Sequence, residues 1–397
     1  MHWPIALVQL FFTLGWTVYV IFLPGLLKQA GIEASWLPWI LVVDQLLFAA
    51  ADLATGLWLD RSLRLLRAAG NILMVLVLAA CGVFMLLPYI AQAMPSWLFV
   101  AALFVWVVCS SVLRVPPMVL LTKFATPQQP GGMTTPVAAY LFGLGVAGAI
   151  APYLTVVLKN RDPLLPFVLA SVALAVATFA WRHQLIKQTA EVVPSGPTAR
   201  PGMSALTWGL LIAVALFAFG TQIHASVNSA KLFAGVAPGV PLEWLMPLFW
   251  GAFSVAMFPA SRWLSRDEAN AAPADNALWL AGLVGGIALV ACATAPPLPL
   301  MIALQIIAGA AWAVVFLAAL AAVAALGRSG REGTWIGATL ALFALATVGR
   351  IVLVWALSPG IGGATGSAIA AQLPWASAML WLLAAALLLS VLRFRQG

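Results

Sequence analysis

The chain has 397 residues, of which 64% are hydrophobic and only 8% are charged, and its mean hydropathy is +1.06. A typical soluble domain has about 25% charged residues and needs polar side chains over most of its surface. The 19 basic and 11 acidic residues are too few for a soluble protein of this size. The composition therefore excludes a soluble enzyme, a disordered chain and a disulfide scaffold, and it indicates a surface that faces lipid.

Twelve apolar stretches follow one another along the chain, each about as long as a membrane-spanning helix. Backbone groups inside hydrocarbon must bond to one another, so stretches of this length predict helices. A membrane β-barrel would instead have strands of about ten residues with alternating apolar and polar side chains. We therefore predict an all-α polytopic membrane protein with spans at about 4–27, 36–59, 70–92, 96–121, 135–158, 163–186, 205–228, 241–264, 276–296, 298–326, 333–358 and 370–392.

The distribution of Lys and Arg among the loops predicts that both termini are cytoplasmic. With the N-terminus inside, four of the 19 basic residues lie outside and two lie within spans, which leaves thirteen in cytoplasmic segments. The net charge of +8 is therefore a signal of topology, and we expect no nucleic-acid partner. The four outside residues are Lys28, Lys159, Arg161 and Lys231.

The longest polar connection, residues 187–204, is rich in Pro, Gly, Ser and Thr and is predicted to be a flexible cytoplasmic linker. It divides the chain into two six-helix bundles, residues 1–186 and 205–397. The halves also echo each other, because Trp58-Leu-Asp-Arg61 ends span 2 and Trp263-Leu-Ser-Arg266 ends span 8. Both tetrapeptides lie at the same topological position, as a parallel six-plus-six repeat requires.

This architecture, with the motif after span 2, resembles the major facilitator superfamily of secondary transporters. The motif reads Gly56-Leu-Trp-Leu-Asp60-Arg61-Ser-Leu-Arg64, and Leu63 stands where the family usually has a second glycine. The resemblance implies a contact between Asp60 and the start of span 11 that holds the cytoplasmic side shut. We therefore expect Gly56, Asp60, Arg61 and Arg64 to form a conformational latch.

Four ionisable residues lie well inside the predicted spans, and a fifth, His224, lies less deep; such groups cost several kcal/mol unless they are paired or hydrated. Two are carboxylates of span 2, Asp44 and Asp52, and we expect them to carry protons. Arg114 in span 4 and Arg350 in span 11 are candidates for contacts with substrate or a gate. His224 lies about a turn from the predicted outer end of span 7, so a wet helix end is favoured over a proton relay.

The depths of the four charged residues suggest two pairs. Asp52 and Arg114 lie at one level, roughly 10 Å inside the cytoplasmic edge at 1.5 Å per residue, so they can pair. The resemblance implies that spans 2 and 11 face each other, so Asp44 and Arg350 could pair on the outer side. We expect that pair to latch the outer side when the inner side is open, with protonation of Asp44 weakening the latch. Two alternatives stay open: the pairs fix helix packing, or an arginine binds an organic anion directly.

Two glycine-rich segments resemble functional motifs, but each also has a purely structural interpretation. Gly143, Gly145 and Gly148 with Pro152 in span 5 fit an exporter motif of the family or close helix packing. Gly360–Gly366 imitates a dinucleotide loop, but no strand precedes it, so we predict a flexible outer loop. No Walker loop and no clustered metal ligands occur, so we expect no ATP hydrolysis, no metal site and no cofactor.

We therefore predict a secondary transporter, not an enzyme, that moves a small organic solute by alternating access. Proton coupling is preferred because Asp44 and Asp52 are the deep carboxylates, and the two deep arginines favour an organic anion. The glycines of span 5 and the aromatic content favour the alternative of a proton-driven exporter of amphipathic compounds. A membrane assembly factor without transport is a third possibility. We expect a monomer in the lipid bilayer of a bacterial cytoplasmic (inner) membrane.

Overall fold

The structure, a computed structural model, contains twelve helical segments long and apolar enough to span a membrane. No β-strand occurs among the residues that it describes. The predicted all-α, twelve-span architecture is therefore confirmed, and the chain is an integral multi-pass membrane protein. The described residues are 3–61, 63–123, 134–190, 205–265, 272–327 and 330–396.

The N-terminal half contains six spans close to their predicted positions. The helix of span 6 extends past its predicted end at residue 186 to Ala190, and residues 191–204 of the predicted linker lie outside the described part. The helices are Trp3–Gln29 (span 1), Leu37–Arg61 (span 2), Leu63–Ala93 (span 3), Ser96–Ser111 with Val115–Lys123 (span 4), Thr134–Leu158 (span 5) and Leu164–Ala190 (span 6).

The C-terminal half repeats the six-span pattern with three interrupted spans. Span 7 and span 8 are each built from more than one helical piece, and span 12 has a break near its beginning. The helices are Ala205–Ile223, His224–Asn228 and Ser229–Val236 (span 7), Leu242–Leu245 and Pro247–Ser265 (span 8), Ala272–Ala293 (span 9), Leu298–Gly327 (span 10), Glu332–Ala356 (span 11) and Pro359–Gln396 (span 12).

Span 4 breaks where the sequence places two consecutive prolines. The first helix ends at Ser111, a turn follows, and the second helix begins at Val115, so Pro116 and Pro117 lie in its first turn. Proline is tolerated there because the N–H groups of a first turn have no partner within the helix. The turn that joins the two helices contains Arg114, whose N–H bonds to the Ser111 carbonyl.

Two predicted boundaries are wrong. Span 7 was expected to end at residue 228, but it passes through a π-helical turn and continues to Val236. The predicted loop Gly360–Gly366 is instead part of the helix Pro359–Gln396, interrupted at Gly363, where φ is +53°. In both places polar residues or glycines lower the local hydropathy without ending the helix, because their backbone groups still find partners.

Two seams join the halves. In the span 2–span 11 seam, a Cβ on Gly56 would overlap the Gly333 carbonyl, and a Cβ on Gly337 would overlap the Asp52 carbonyl. In the span 5–span 8 seam, the surface of Gly148 meets the ring of Trp250. Both seams are in contact at both ends of the spans, as four further contacts show: Asp60–Thr334 and Thr135–Ser261 at one end, Trp39–Trp355 and Tyr153–Trp244 at the other. We call these ends the Asp60 end and the Trp39 end.

Candidate functional site

Asp60, in the last turn of span 2, binds the first turn of span 11. Its Oδ1 accepts a hydrogen bond from the Gly333 N–H at 2.8 Å. Its Oδ2 accepts bonds from the Thr334 N–H at 2.6 Å and from the Thr334 hydroxyl at 2.7 Å. The first N–H groups of a helix have no partner within it and form the positive end of its dipole, so a carboxylate is favoured there. This contact ties the two halves together at the Asp60 end.

The other three members of the predicted latch are Gly56, Arg61 and Arg64. Gly56 lies one turn before Asp60 and allows the backbones of spans 2 and 11 to touch. The side chain of Arg61 is exposed. The side chain of Arg64 lies outside the described part of the structure, so its place in the latch stays a prediction.

Asp52 and Arg114 form an ion pair, with 3.1 Å between Asp52 Oδ2 and Arg114 Nη2. Neither oxygen of Asp52 accepts a hydrogen bond from the described residues, and Nη2 donates to the Leu340 carbonyl of span 11 at 3.1 Å. The Phe48 ring covers the guanidinium, with 4.8 Å from Cζ to the ring centroid. The pair lies within the N-terminal half, yet its arginine reaches across the span 2–span 11 seam.

Asp44 is completely buried and has a neutral partner. Its Oδ2 accepts a hydrogen bond of 2.7 Å from the Tyr19 hydroxyl of span 1, and its Oδ1 has no hydrogen-bond partner. The Tyr19 ring packs against Trp16 and Trp106, with centroids 5.0 and 4.8 Å away. The expected ion pair between Asp44 and Arg350 is not formed in this conformation, in which Asp60 holds span 11.

Arg350 lies on span 11 toward the Trp39 end. Its Nε is buried without a hydrogen-bond partner, and it is in no ion pair with a described carboxylate. The neighbouring Gly349 packs against the Phe219 ring of span 7, with 2.9 Å between an added Cβ and Cε2. Arg350 therefore offers an unused donor inside the C-terminal half.

His224 is buried, with 1% of its surface exposed, so the expectation of a wet helix end is wrong. The span continues for three more turns beyond it, which moves His224 away from the boundary. Its Nε2 lies 3.1 Å from Gln305 Oε1 of span 10. The polar run after His224 suggested an end, but Asn228 and Ser229 find partners inside the protein instead.

Residues 5–349 match the family described as Major Facilitator Superfamily. The chain belongs to the major facilitator superfamily. Among curated proteins, no sequence matches this chain significantly. Membership of this family indicates a transporter and not an enzyme.

Solved transporter structures share this fold at low sequence identity. A human organic anion transporter, MFSD10 (TETRAN), is 16% identical, with a TM-score of 0.69 over 97% of this chain and 98% of its own. A bacterial homologue of the iron transporter ferroportin, in an outward-facing state with soaked iron, is 16% identical, with a TM-score of 0.70 over 98% and 99%. The E. coli fucose:proton symporter FucP is 14% identical, with a TM-score of 0.61 over 99% and 97%.

In this major facilitator protein the glycines of span 5 serve close packing. A Cβ added to Gly143 would overlap Ala6, and a Cβ added to Gly145 would overlap Ser254. Gly148 meets Trp250 in the same way, at 2.7 Å from Cγ. These contacts join span 5 to spans 1 and 8, so packing alone accounts for the three glycines.

Sequence reasoning missed the partners of the candidate residues more often than the residues themselves. Tyr19 and Gln305 are polar side chains of spans 1 and 10, and no local sequence signal connects them to Asp44 and His224. The Leu340 carbonyl, which accepts a hydrogen bond from Arg114, is a backbone group and has no signature in the sequence. Among the described residues, no group of three or more His, Cys, Asp or Glu side chains is arranged to hold a metal ion.

Proposed function

We propose that this protein is a proton-coupled secondary transporter that moves a small organic anion across a bacterial cytoplasmic membrane by alternating access. The observation that carries the proposal is Asp44, a carboxylate that is 0% exposed and whose only hydrogen-bond partner among the described residues is a tyrosine hydroxyl. An ionised carboxylate in such surroundings is costly unless a cation or a proton neutralises it. Asp44 is therefore the proposed site of proton uptake and release.

The proposed cycle uses the two ends of span 2 in turn. With the Asp60 end taken as cytoplasmic, the bonds from Asp60 to Gly333 and Thr334 keep the cytoplasmic side closed. When they break and span 11 moves, Arg350 becomes the counter-charge for Asp44 and latches the outer side. Protonation of Asp44 removes the negative charge of that latch and allows the return step.

Arg350 is the proposed binding group for an anionic substrate, in the state in which it is not paired with Asp44. A guanidinium matches the geometry of a carboxylate, and this one has a buried N–H with no partner. Two structural relatives are compatible with these assignments, since MFSD10 is an organic anion transporter and FucP is a proton symporter. Arg114 is assigned to the seam and not to substrate, because Asp52 and Leu340 already engage it.

The test is transport in proteoliposomes. A panel of organic carboxylates and sulfonates is offered with and without an imposed pH gradient, and protein-free liposomes measure passive permeation. Wild-type protein should accumulate at least one anion when the gradient is present. Asp44→Asn should reduce gradient-driven accumulation at least tenfold but keep exchange of labelled for unlabelled solute, and Asp44→Glu should retain accumulation.

The controls separate this proposal from its rivals. Tyr19→Phe removes the hydrogen bond but leaves the carboxylate, so proton-driven accumulation should survive with a changed pH profile. Gradient-driven accumulation by Asp44→Asn at the wild-type level would contradict proton coupling at this residue. Export of organic cations instead of anions would favour the amphipathic-compound exporter, and no flux of any solute would favour the assembly factor.

A further inference from the structure

A small cavity lies inside the N-terminal half, among spans 1, 3, 4 and 6. The volume open to the centre of a water molecule is about 20 Å³. A cavity needs roughly 10–15 Å³ to hold one water, so this cavity has room for water and not for an organic solute. None of the nine described residues that line it belongs to spans 2, 5, 8 or 11, which form the two seams.

The backbone of span 1 gives independent evidence for this space. Gly15 lines the cavity and is buried, yet no neighbouring atom lies within 4 Å of a Cβ added to it. Gly143, which serves close packing, shows the opposite, because a Cβ there would overlap the Ala6 carbonyl. Gly15 therefore borders open space inside the bundle and not a tightly packed neighbour.

Ser171 of span 6 lines the cavity with an unpaired hydroxyl. It is 2% exposed, and its Oγ has no hydrogen-bond partner among the described residues. A buried hydroxyl in a helix can donate to a carbonyl one turn earlier, as Thr178 of the same span does to Leu174 at 2.8 Å. Ser171 makes no such bond, and a buried hydroxyl without a partner is destabilising.

A second hydroxyl lines the same cavity from span 4. Ser110 is 2% exposed and donates to the Val107 carbonyl at 3.0 Å, so its proton is already used. A hydroxyl oxygen has two lone pairs, and Ser110 Oγ can therefore still accept a bond. Ser171 can donate as well as accept. The cavity thus has polar groups of complementary kinds on two of its walls.

We propose that this cavity binds an ordered water molecule, which accepts a hydrogen bond from Ser171 and donates one to Ser110. A buried water needs two to four polar partners, and the two hydroxyls supply the minimum. The thiol of Cys81, which also lines the cavity, is a weak acceptor for the second proton of the water. None of the nine lining residues is charged, so the cavity offers no counter-charge for an ion.

The bound water belongs to the N-terminal half alone and does not depend on the proposed transport cycle. Its walls come from one bundle, and they stay together when the two halves move as rigid bodies. One wall is Trp106, whose ring packs against Tyr19 with 4.8 Å between centroids. The water therefore fills the space beside the ring that supports Tyr19.

The first test is a pair of high-resolution structures of the purified full-length protein, determined under xenon pressure. A polar cavity holds water, whereas an apolar cavity of sufficient size stays dry and binds xenon. The wild-type protein should show a water about 3 Å or less from Ser171 Oγ and no xenon. Ser110→Ala/Ser171→Ala removes both hydroxyls, so it should lose the water and bind xenon in its place.

The second test is a set of melting curves, which need no crystals. Gly15→Ala places a methyl group in the cavity, where it competes with the water that Ser171 needs. We expect Gly15→Ala to raise the melting temperature by about 2 °C less in the wild-type protein than in a Ser171→Ala background, as the loss of one hydrogen bond implies. Gly82→Ala is the matched control: a Cβ there also meets no atom within 4 Å, but Gly82 does not line the cavity, so its effect should be the same in both backgrounds.

Three results would overturn the proposal. They are xenon in the wild-type cavity, no water at Ser171 in a map that resolves other buried waters, and an effect of Gly15→Ala that is the same with and without the Ser171 hydroxyl. Since no variant changes Asp44, Asp60 or Arg350, each result is separate from the success or failure of the proposed proton-coupled transport.

Discussion

The two seams between the halves are built from different chemistry. In the span 2–span 11 seam, glycines bring two backbones into contact, and Asp60 and Arg114 add directional polar bonds between the halves. In the span 5–span 8 seam, Gly145 and Gly148 of span 5 are covered by side chains of span 8, among them Ser254 and Trp250. Two hydroxyl contacts also cross this seam: Thr135–Ser261 at 3.1 Å, at its Asp60 end, and a longer bond of 3.5 Å from the Ser254 hydroxyl to the Phe142 carbonyl.

This difference suggests a division of work during alternating access. Directional bonds to a helix start and to a carbonyl are either made or lost, so the span 2–span 11 seam suits a switch between discrete states. Apolar side chains over glycine tolerate a change of angle because dispersion contacts are weakly directional. The span 5–span 8 seam therefore suits the surface on which the halves rotate.

The largest effect is expected from Arg114→Met, which removes the cation of the polar seam. Asp52 would remain buried without a counter-charge, and breaking a buried ion pair from one side costs about 3–5 kcal/mol. We expect a strong loss of thermal stability in detergent, measured by a melting curve. The double variant Asp52→Asn/Arg114→Met should recover most of the lost stability. The control Arg161→Met replaces an exposed loop arginine and should leave the melting temperature unchanged. An equal loss of stability in Arg114→Met and Arg161→Met would show that Arg114 does not stabilise the seam.

The next largest effect is expected where the two backbones touch. A methyl group at Gly56 or Gly337 would overlap a carbonyl of the other half, so the seam must separate. We expect Gly56→Ala and Gly337→Ala to lower the transport rate at least tenfold while the protein stays folded. Gly82→Ala is the matched control, because no atom lies within 4 Å of a Cβ at that position. Wild-type rates in both seam variants would show that this contact does not take part in the cycle.

A smaller effect is expected at the bonds between Asp60 and span 11. Asp60→Asn keeps the size of the side chain but turns one acceptor into a donor that faces N–H groups, so transport should fall about tenfold. Thr334→Val removes only the hydroxyl bond and should reduce the rate about threefold. A loss in Thr334→Val as large as that in Asp60→Asn would assign the contact to the threonine and not to the helix start.

The two seams also show what the sequence can predict. Hydropathy alone locates the spans, and the depth of Asp52 and Arg114 along their helices makes their pairing predictable. The reach of Arg114 to a carbonyl of span 11 was not predictable, because backbone atoms have no sequence signature. The continuation of span 7 past Asn228 was missed for a related reason: a polar residue ends a membrane span only if it finds no buried partner, and Ser377 lies far along the chain.

The smallest effect is expected in the span 5–span 8 seam. In Gly148→Ala the new methyl group would lie 2.7 Å from Trp250 Cγ, so the indole must shift. Overpacking of this kind costs typically 1–3 kcal/mol, which should lower the melting temperature but leave the transport rate within about threefold. In a Trp250→Ala background the same substitution should cost almost nothing, because the clashing ring is gone. If Gly148→Ala instead stops transport without lowering stability, the span 5–span 8 seam is itself a switch, and the contrast between the seams fails.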